Sequence, residues 1–205
     1  MTFLILLFIL SGCAKMTTQI TVDEDNTYYS TSPELKVKIN NEFSYNKEYS
    51  MKKNTGGKTV YGSNDTHNTV YDHYFRKVNE KEMKIEERII IRIYRTNVRW
   101  HYLHSFKGTD CIKRDMIKLG RNKYMYCANL IKRNYDEEGF AFNGDAVITL
   151  YRITGPRDNI LIKIMYEKDI EGIDFTEDNQ HRKDEILKKL CDEVFSEDFD
   201  AFKIL

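Results

Sequence analysis

The sequence predicts an α+β fold: an antiparallel β-sheet meander packed against a C-terminal amphipathic helix. Three observations carry that expectation. Apolar residues alternate with charged ones at a period of two in several stretches, the pattern of strands with one buried face. Near the C-terminus the spacing changes to three and four, the pattern of a helix with one apolar side. The chain has only two prolines, Pro33 and Pro156, and both fall in loop-like sequence, where they interrupt no ladder of backbone hydrogen bonds.

Taken in order, Ala14 to Pro33 is polar and hydroxyl-rich with little to bury, and reads as a flexible tether; the other reading is a first edge strand at Gln19 to Val22. Twenty flexible residues would reach ~25 Å. Pro33 then marks the start of the folded part. Leu35, Val37 and Ile39 alternate with Lys36 and Lys38 and predict a half-buried strand. Gly56-Gly57-Lys58-Thr59 is similar to the end of a phosphate loop, but without the earlier glycine or the following apolar helix it reads as a flexible turn.

The clearest strand places Met83, Ile85, Ile89, Ile91 and Ile93 on one face. Glu87 alone breaks that face, and a bend or bulge there would keep its carboxylate in water. Asn97 to Phe106 is aromatic, follows a Thr96-Asn97 turn signal, and is expected to pair with its predecessor. Asp110 to Gly120 suits either a short helix or the first arm of a hairpin whose second arm is Tyr124 to Ile131; the hairpin is preferred. Ala146 to Ile153 and Ile160 to Glu167 flank Thr154-Gly155-Pro156-Arg157-Asp158-Asn159 and predict another hairpin. Ile186, Leu187, Leu190, Cys191, Val194 and Phe195 then line one side of a helix, with Thr176 or Asp178 as its cap. A lone helix with such a face must pack on the sheet.

With 32 basic and 32 acidic residues the formal charge is zero, so the composition gives no reason to expect a nucleic-acid partner. The charge is nevertheless uneven. Lys113 to Arg133 holds seven basic residues against Asp115, net +6, and Glu167 to Asp200 holds thirteen acidic against five basic, net −8. These are either solvated faces that attract each other weakly, or a basic stretch turned to anionic headgroups or an acidic partner.

Candidate chemistry is sparse. His67 and His73 are six apart, about 20 Å along a strand at ~3.3 Å per residue, so they cannot share one ion there. His101 and His104, three apart, point to opposite faces of a strand, whereas zinc needs three or four converging ligands. Asp72-His73 comes with no nucleophile motif, and the chain lacks Gly-x-Ser-x-Gly and His-Glu-x-x-His. No cofactor or metal is expected. Cys111 and Cys127 oppose each other if Lys118-Leu119-Gly120 forms a three-residue hairpin loop, a separation that a disulfide can bridge. The alternative is that Cys111, Cys127 and Cys191 are three small buried thiols.

The N-terminus is more specific. An unbroken apolar run from Phe3 to Leu10 gives way abruptly to Ser11-Gly12-Cys13. A secretory signal has this apolar core followed by small residues, and the run falls well short of the ~20 residues that cross a bilayer as a helix. Leu10-Ser11-Gly12-Cys13 resembles the lipobox of bacterial lipoproteins. The resemblance covers only the signal region. It implies that residues 1–12 are removed, that the Cys13 thiol carries a diacylglyceryl group, and that the new amino group is acylated in many species. It also implies an extracytoplasmic domain held at the cell membrane or, since Ala14 is not the Asp that retains such proteins at the inner membrane, at an outer membrane.

The expected organisation is therefore a signal peptide at 1–12, a lipidated tether at 13–33 and a single domain at 34–205. The expected role is a binding or assembly module of the envelope with a protein or glycan partner, Trp100 and the tyrosines being suited to such surfaces. The alternative is an envelope hydrolase or metal-dependent enzyme using His73, His101 or His104.

Overall fold

The computed structural model describes residues 19–58, 65–96, 114–119, 122–130, 134–154, 160–170, 180–194, 196 and 199–205. Its strands are β1 (Ile20–Val22), β2 (Thr27–Thr31), β3 (Glu34–Ile39), β4 (Ser44–Lys58), β5 (Asp65–Asn79), β6 (Lys84–Thr96) and β7 (Arg114–Leu119). They continue as β8 (Asn122–Leu130), β9 (Tyr135–Glu137), β10 (Phe140–Phe142), β11 (Gly144–Thr154), β12 (Ile160–Asp169) and, after the helix α1 (Gln180–Val194), β13 (Phe202–Ile204). The fold class is α+β and strand-dominated, with mostly antiparallel sheets and, among the described residues, one C-terminal helix. The strands divide into a four-stranded sheet ordered β1-β2-β3-β13 and a larger one ordered β4-β5-β6-β12-β11-β8-β7, to which β9 and β10 attach beside β6.

The large sheet is organised by β6. Ile89, Ile91 and Ile93 are fully buried on one face, together with Phe75 from β5 and Ile162, Ile164 and Tyr166 from β12. The small sheet supplies Tyr28, Leu35, Val37 and Ile39 to the same core, and α1 supplies Leu187, Leu190, Cys191 and Val194. The predicted period-three-and-four face of the helix is thus the face that is buried. Its expected caps at Thr176 and Asp178, and Phe195, lie outside the described residues. Both predicted hairpins form: Leu150 pairs with Ile164 across β11 and β12, and Met116 with Met125 across β7 and β8.

Several expectations are corrected. The span read as a tether contains two strands, and its first described residue is already fixed: Gln19 N–H donates to Thr31 Oγ1 at 3.1 Å, and Thr31 N–H to Gln19 O at 3.1 Å. The edge-strand alternative at Gln19 to Val22 is the one that forms, because Ile20 and Val22 pack against the shared core. Pro33 does not open the folded part but sits in the turn between β2 and β3, following a cis peptide from Ser32. Gly56, Gly57 and Lys58 are strand residues paired with His67, Thr66 and Asp65, not a turn. Met83 lies before β6, exposed and with φ of 49°, and Ile85, although fully buried, does not join the core that holds Ile89, Ile91 and Ile93. Asn97 to Phe106 lies outside the described residues.

The irregularity expected near Glu87 is present. The β5–β6 register shifts between Lys77, opposite Glu87, and Val78, opposite Ile85. Glu87 is not left to water alone, because the Tyr166 hydroxyl donates to its Oε2 and Lys77 Nζ stands 3.8 Å from its Oε1.

Ile91 is fully buried between β5 and β12, so Ile91→Ala is expected to cost ~2–5 kcal/mol through lost transfer energy and a cavity. Lys189→Ala on the exposed side of α1 should change stability by less than ~0.5 kcal/mol, and urea unfolding of both variants measures the contrast.

Candidate functional site

His73 has a built environment. It projects from β5 into the space between the sheets, where its Nδ1 shares a hydrogen bond of 2.9 Å with the Tyr45 hydroxyl. Its ring stacks on Tyr45 with centroids 6.0 Å apart and meets Tyr28 edge-on at 5.2 Å. Burial pushes its pKa down from 6.5 to about 4, the nearby charge of Asp72 opposing that shift, so the ring is neutral at pH 7. Burial also raises the Tyr28 phenol, whose hydroxyl is buried with no hydrogen-bond partner among the described residues. These groups form an aromatic wedge joining β2 to β4 and β5.

Asp72 and His73 do not act together, because successive side chains of a strand point to opposite faces. Asp72 lies on the outer face of the large sheet, where Arg92 grips it with both ends of its guanidinium; Arg92 Nη2 to Asp72 Oδ2 is 2.7 Å. Arg92 also donates to the Tyr94 hydroxyl at 3.1 Å. Burial lowers the Arg92 pKa, and the hydrogen bonds and charges of Asp72 and Tyr94 together outweigh it, leaving it raised. His67 lies on the same strand as His73, six residues away. His181 is exposed on α1, with Nδ1 3.5 Å from Glu185 Oε1. His101 and His104 lie outside the described residues. Among the described residues, no group of three or more His, Cys, Asp or Glu side chains is placed to hold a metal ion.

The outer face carries a second polar assembly that the sequence did not single out. Arg88 on β6 is buried and donates from Nε to Glu167 Oε2 at 2.8 Å, while its Nη1 donates to Glu137 on β9. The Tyr135 ring lies 3.7 Å from the guanidinium carbon, and Phe142 stacks on that ring at 4.8 Å. Gly144 makes room for Phe142, since a Cβ at that position would fall 1.7 Å from the phenyl carbons. The β9–β10 hairpin turns through Glu138 and Gly139, both at positive φ, and clasps the sheet a second time through Arg76 and Glu138. Burial lowers the Arg88 pKa, and Glu167, Tyr135 and Glu137 outweigh it, so the cation is held firmly. With its donors consumed and its side chain covered, Arg88 serves as a clamp for the hairpin and presents nothing to a substrate.

Glu167 was expected in an acidic solvated stretch, and it is instead fully buried against Arg88. No local periodicity encodes that pairing, which joins residues 79 apart. In the basic stretch, Lys118 is exposed on β7, and Lys113, Arg121, Lys132 and Arg133 lie outside the described residues. Cys127 is disulfide-bonded, and Cys191 is a buried thiol, so the other half of the bond falls outside the described residues, as Cys111 does. The expected register is corrected: Leu119 pairs with Asn122, and Arg114 rather than Cys111 stands opposite Cys127. Cys13 also lies outside the described residues.

Comparison with protein-family models, with curated proteins and with solved structures yields no match.

Two outcomes test this account. The unfolded His73 ring takes up a proton near pH 6.5 and the folded one only near 4, so protons favour the unfolded chain across that window. Stability is full above pH 6.5 and falls by roughly 3 kcal/mol as pH drops toward 4; His73→Phe should remove most of that slope in pH-dependent urea unfolding. Arg88→Ala strands Glu137 and Glu167 in the interior and should cost ~3–5 kcal/mol. Arg76→Ala, whose partner Glu138 is partly exposed, should cost less than ~1 kcal/mol by the same measurement.

Proposed function

We propose that this chain is a bacterial lipoprotein, held to the cell envelope through Cys13, whose strand-rich domain is a non-enzymatic binding or assembly module. The observation that carries the reading is the passage from the apolar run Phe3 to Leu10 into Ser11-Gly12-Cys13. The chemistry fits that spacing: small residues leave the peptide bond before Cys13 open to a peptidase, and a thiol is the group that becomes a thioether. No described helix is long and apolar enough to cross a membrane, so attachment in this reading falls to the acyl chains. Two or three chains hold stably where one holds only marginally, at ~0.8 kcal/mol per buried methylene.

What supports a binding role over the enzyme alternative is how the polar side chains are used. His73 is packed between Tyr28 and Tyr45, and Arg88, Arg92, Asp72 and Glu167 are committed to one another. The large sheet meanwhile ends on β4, a 15-residue edge strand with exposed Lys52, Lys53 and Asn54, which offers backbone groups to an added strand. An envelope protein is the partner this edge suits.

Intact mass measurement of the protein extracted from native membranes should give a chain beginning at Cys13 with acyl mass added. Cys13→Ser should stop processing and acylation and leave an unmodified precursor. A wild-type chain carrying an unmodified Met1 would overturn the proposal.

A further inference from the structure

We propose that the outer face of the small sheet, with Lys36, Lys38 and Lys203 around Tyr29, lies directly on the anionic lipid surface that holds Cys13. This inference rests on the lipid-anchor reading. It begins from chain length. The fold fixes the backbone from Gln19 onward, leaving six residue steps back to Cys13, which span at most roughly 20 Å when fully extended. A domain tied that closely by its edge strand cannot stand off the headgroups, and the sheet that contains that strand is the part brought down to them.

The register of the small sheet decides which side chains meet the lipid. Ile20, Val22, Tyr28, Leu35, Val37, Ile39 and Phe202 face the core, so their neighbours in sequence face outward. Thr21, Tyr29 and Lys36 form one outward row across three strands. Lys38 and Lys203 form the next, directly opposite each other on β3 and β13, with the buried Thr27 paired to Lys38 on the other side. Like charges so placed destabilise a sheet unless something anionic faces them. Lys36 extends over the Tyr29 ring at 5.3 Å, an aromatic and cationic pair suited to the interfacial zone of a bilayer.

The acidic groups of this sheet stand at its ends. Glu34 begins β3, next to the anchored end of β1, and Asp23, Glu24 and Asp25 form the β1–β2 turn at the other end. The Asp23 carboxylate is occupied there, accepting from the backbone N–H of Thr27 at 2.7 Å and of Asp25 at 3.1 Å. Lys38 donates to the Asp25 carbonyl, which leaves its charge unneutralised. The two middle rows therefore present three cations and an aromatic ring with no side-chain carboxylate among them.

Amine footprinting of the full acylated protein tests this, comparing vesicles of phosphatidylethanolamine with phosphatidylglycerol, vesicles of phosphatidylcholine, and detergent micelles. On the anionic vesicles Lys36, Lys38 and Lys203 should react about fivefold more slowly than in detergent, a factor set by roughly 1 kcal/mol per lysine at such a surface. Lys53 on β4 and Lys189 on α1 should react equally in all three. In the Lys36→Ser/Lys203→Ser double variant, which alters only exposed side chains, Lys38 should lose its protection while the protein still floats with the vesicles. An acylated, vesicle-bound protein whose three lysines react as fast as in detergent, or are protected equally on neutral vesicles, overturns the docking and leaves the anchor intact. A protein that carries no acyl mass and does not float overturns the anchor reading and the docking with it.

Discussion

Ile89, Ile91 and Ile93 stand on one face of the longest apolar strand in the chain, and that face has to be kept from water. Each fully buried isoleucine contributes about 1.5–3 kcal/mol relative to its exposed state, and the neighbouring strands add Phe75, Ile162, Ile164 and Tyr166 to the same surface. A single twisted sheet of this width cannot bury its own face. The small sheet and α1 divide the work of covering it, and both come partly from the ends of the chain. This is why β13, eight residues beyond Val194, crosses to pair with β3 near the N-terminus, Ile204 opposite Val37.

The other face of the large sheet is handled differently. Ile90 and Met165 are buried there with Tyr74 packed on them, but the neighbouring positions are Arg88, Arg92, Asp72 and Glu167. Burying two carboxylates and a guanidinium costs several kcal/mol in desolvation, offset only when the geometry satisfies their hydrogen bonds. The β9–β10 hairpin supplies that geometry: Glu137 and Tyr135 close over Arg88, and Phe142 seals the ring stack in the space left by Gly144. The interior therefore has two characters, an apolar one that sets the architecture and an ionic one that fixes a small hairpin in one place.

These two characters explain what the sequence made legible. A period of two or of three and four is local, so β3, β6, the β11–β12 hairpin and the buried face of α1 were all evident from residue spacing. The polar ribbon of β4 and β5 was not, because Met51–Lys58 and Asp65–Asp72 carry few apolar residues on either face, and its Gly56-Gly57 pair gave a turn signal inside a strand. The short β1 was passed over as tether because Asp23 to Ser32 is rich in turn formers, although Ile20 and Val22 held the decisive alternation. Ile90 lay within an isoleucine run, where alternation cannot tell one face from the other. The Arg88 clamp depends on partners 49 and 79 residues away, and nothing in a linear pattern links them. Strand alternation, which is local, places Asp72 and His73 on opposite faces.

In the proposed lipid-anchor reading, replacing a long tether by a strand changes the physical problem that such an anchor poses. With some twenty flexible residues, orientation would be averaged and the domain surface nearest the membrane would be arbitrary. With backbone hydrogen bonds in place from Gln19, the attachment point becomes a property of the sheet, and the same register that buries Ile20 and Val22 dictates that Thr21, Tyr29 and Lys36 face away from the core. The alternation of β3 then has two consequences at once. Leu35, Val37 and Ile39 complete the core, while Lys36 and Lys38 gather on the opposite side beside Lys203, which only the pairing with β13 could bring there. The position of the anchor and the position of the cations thus follow from one constraint, the burial of a single sheet face.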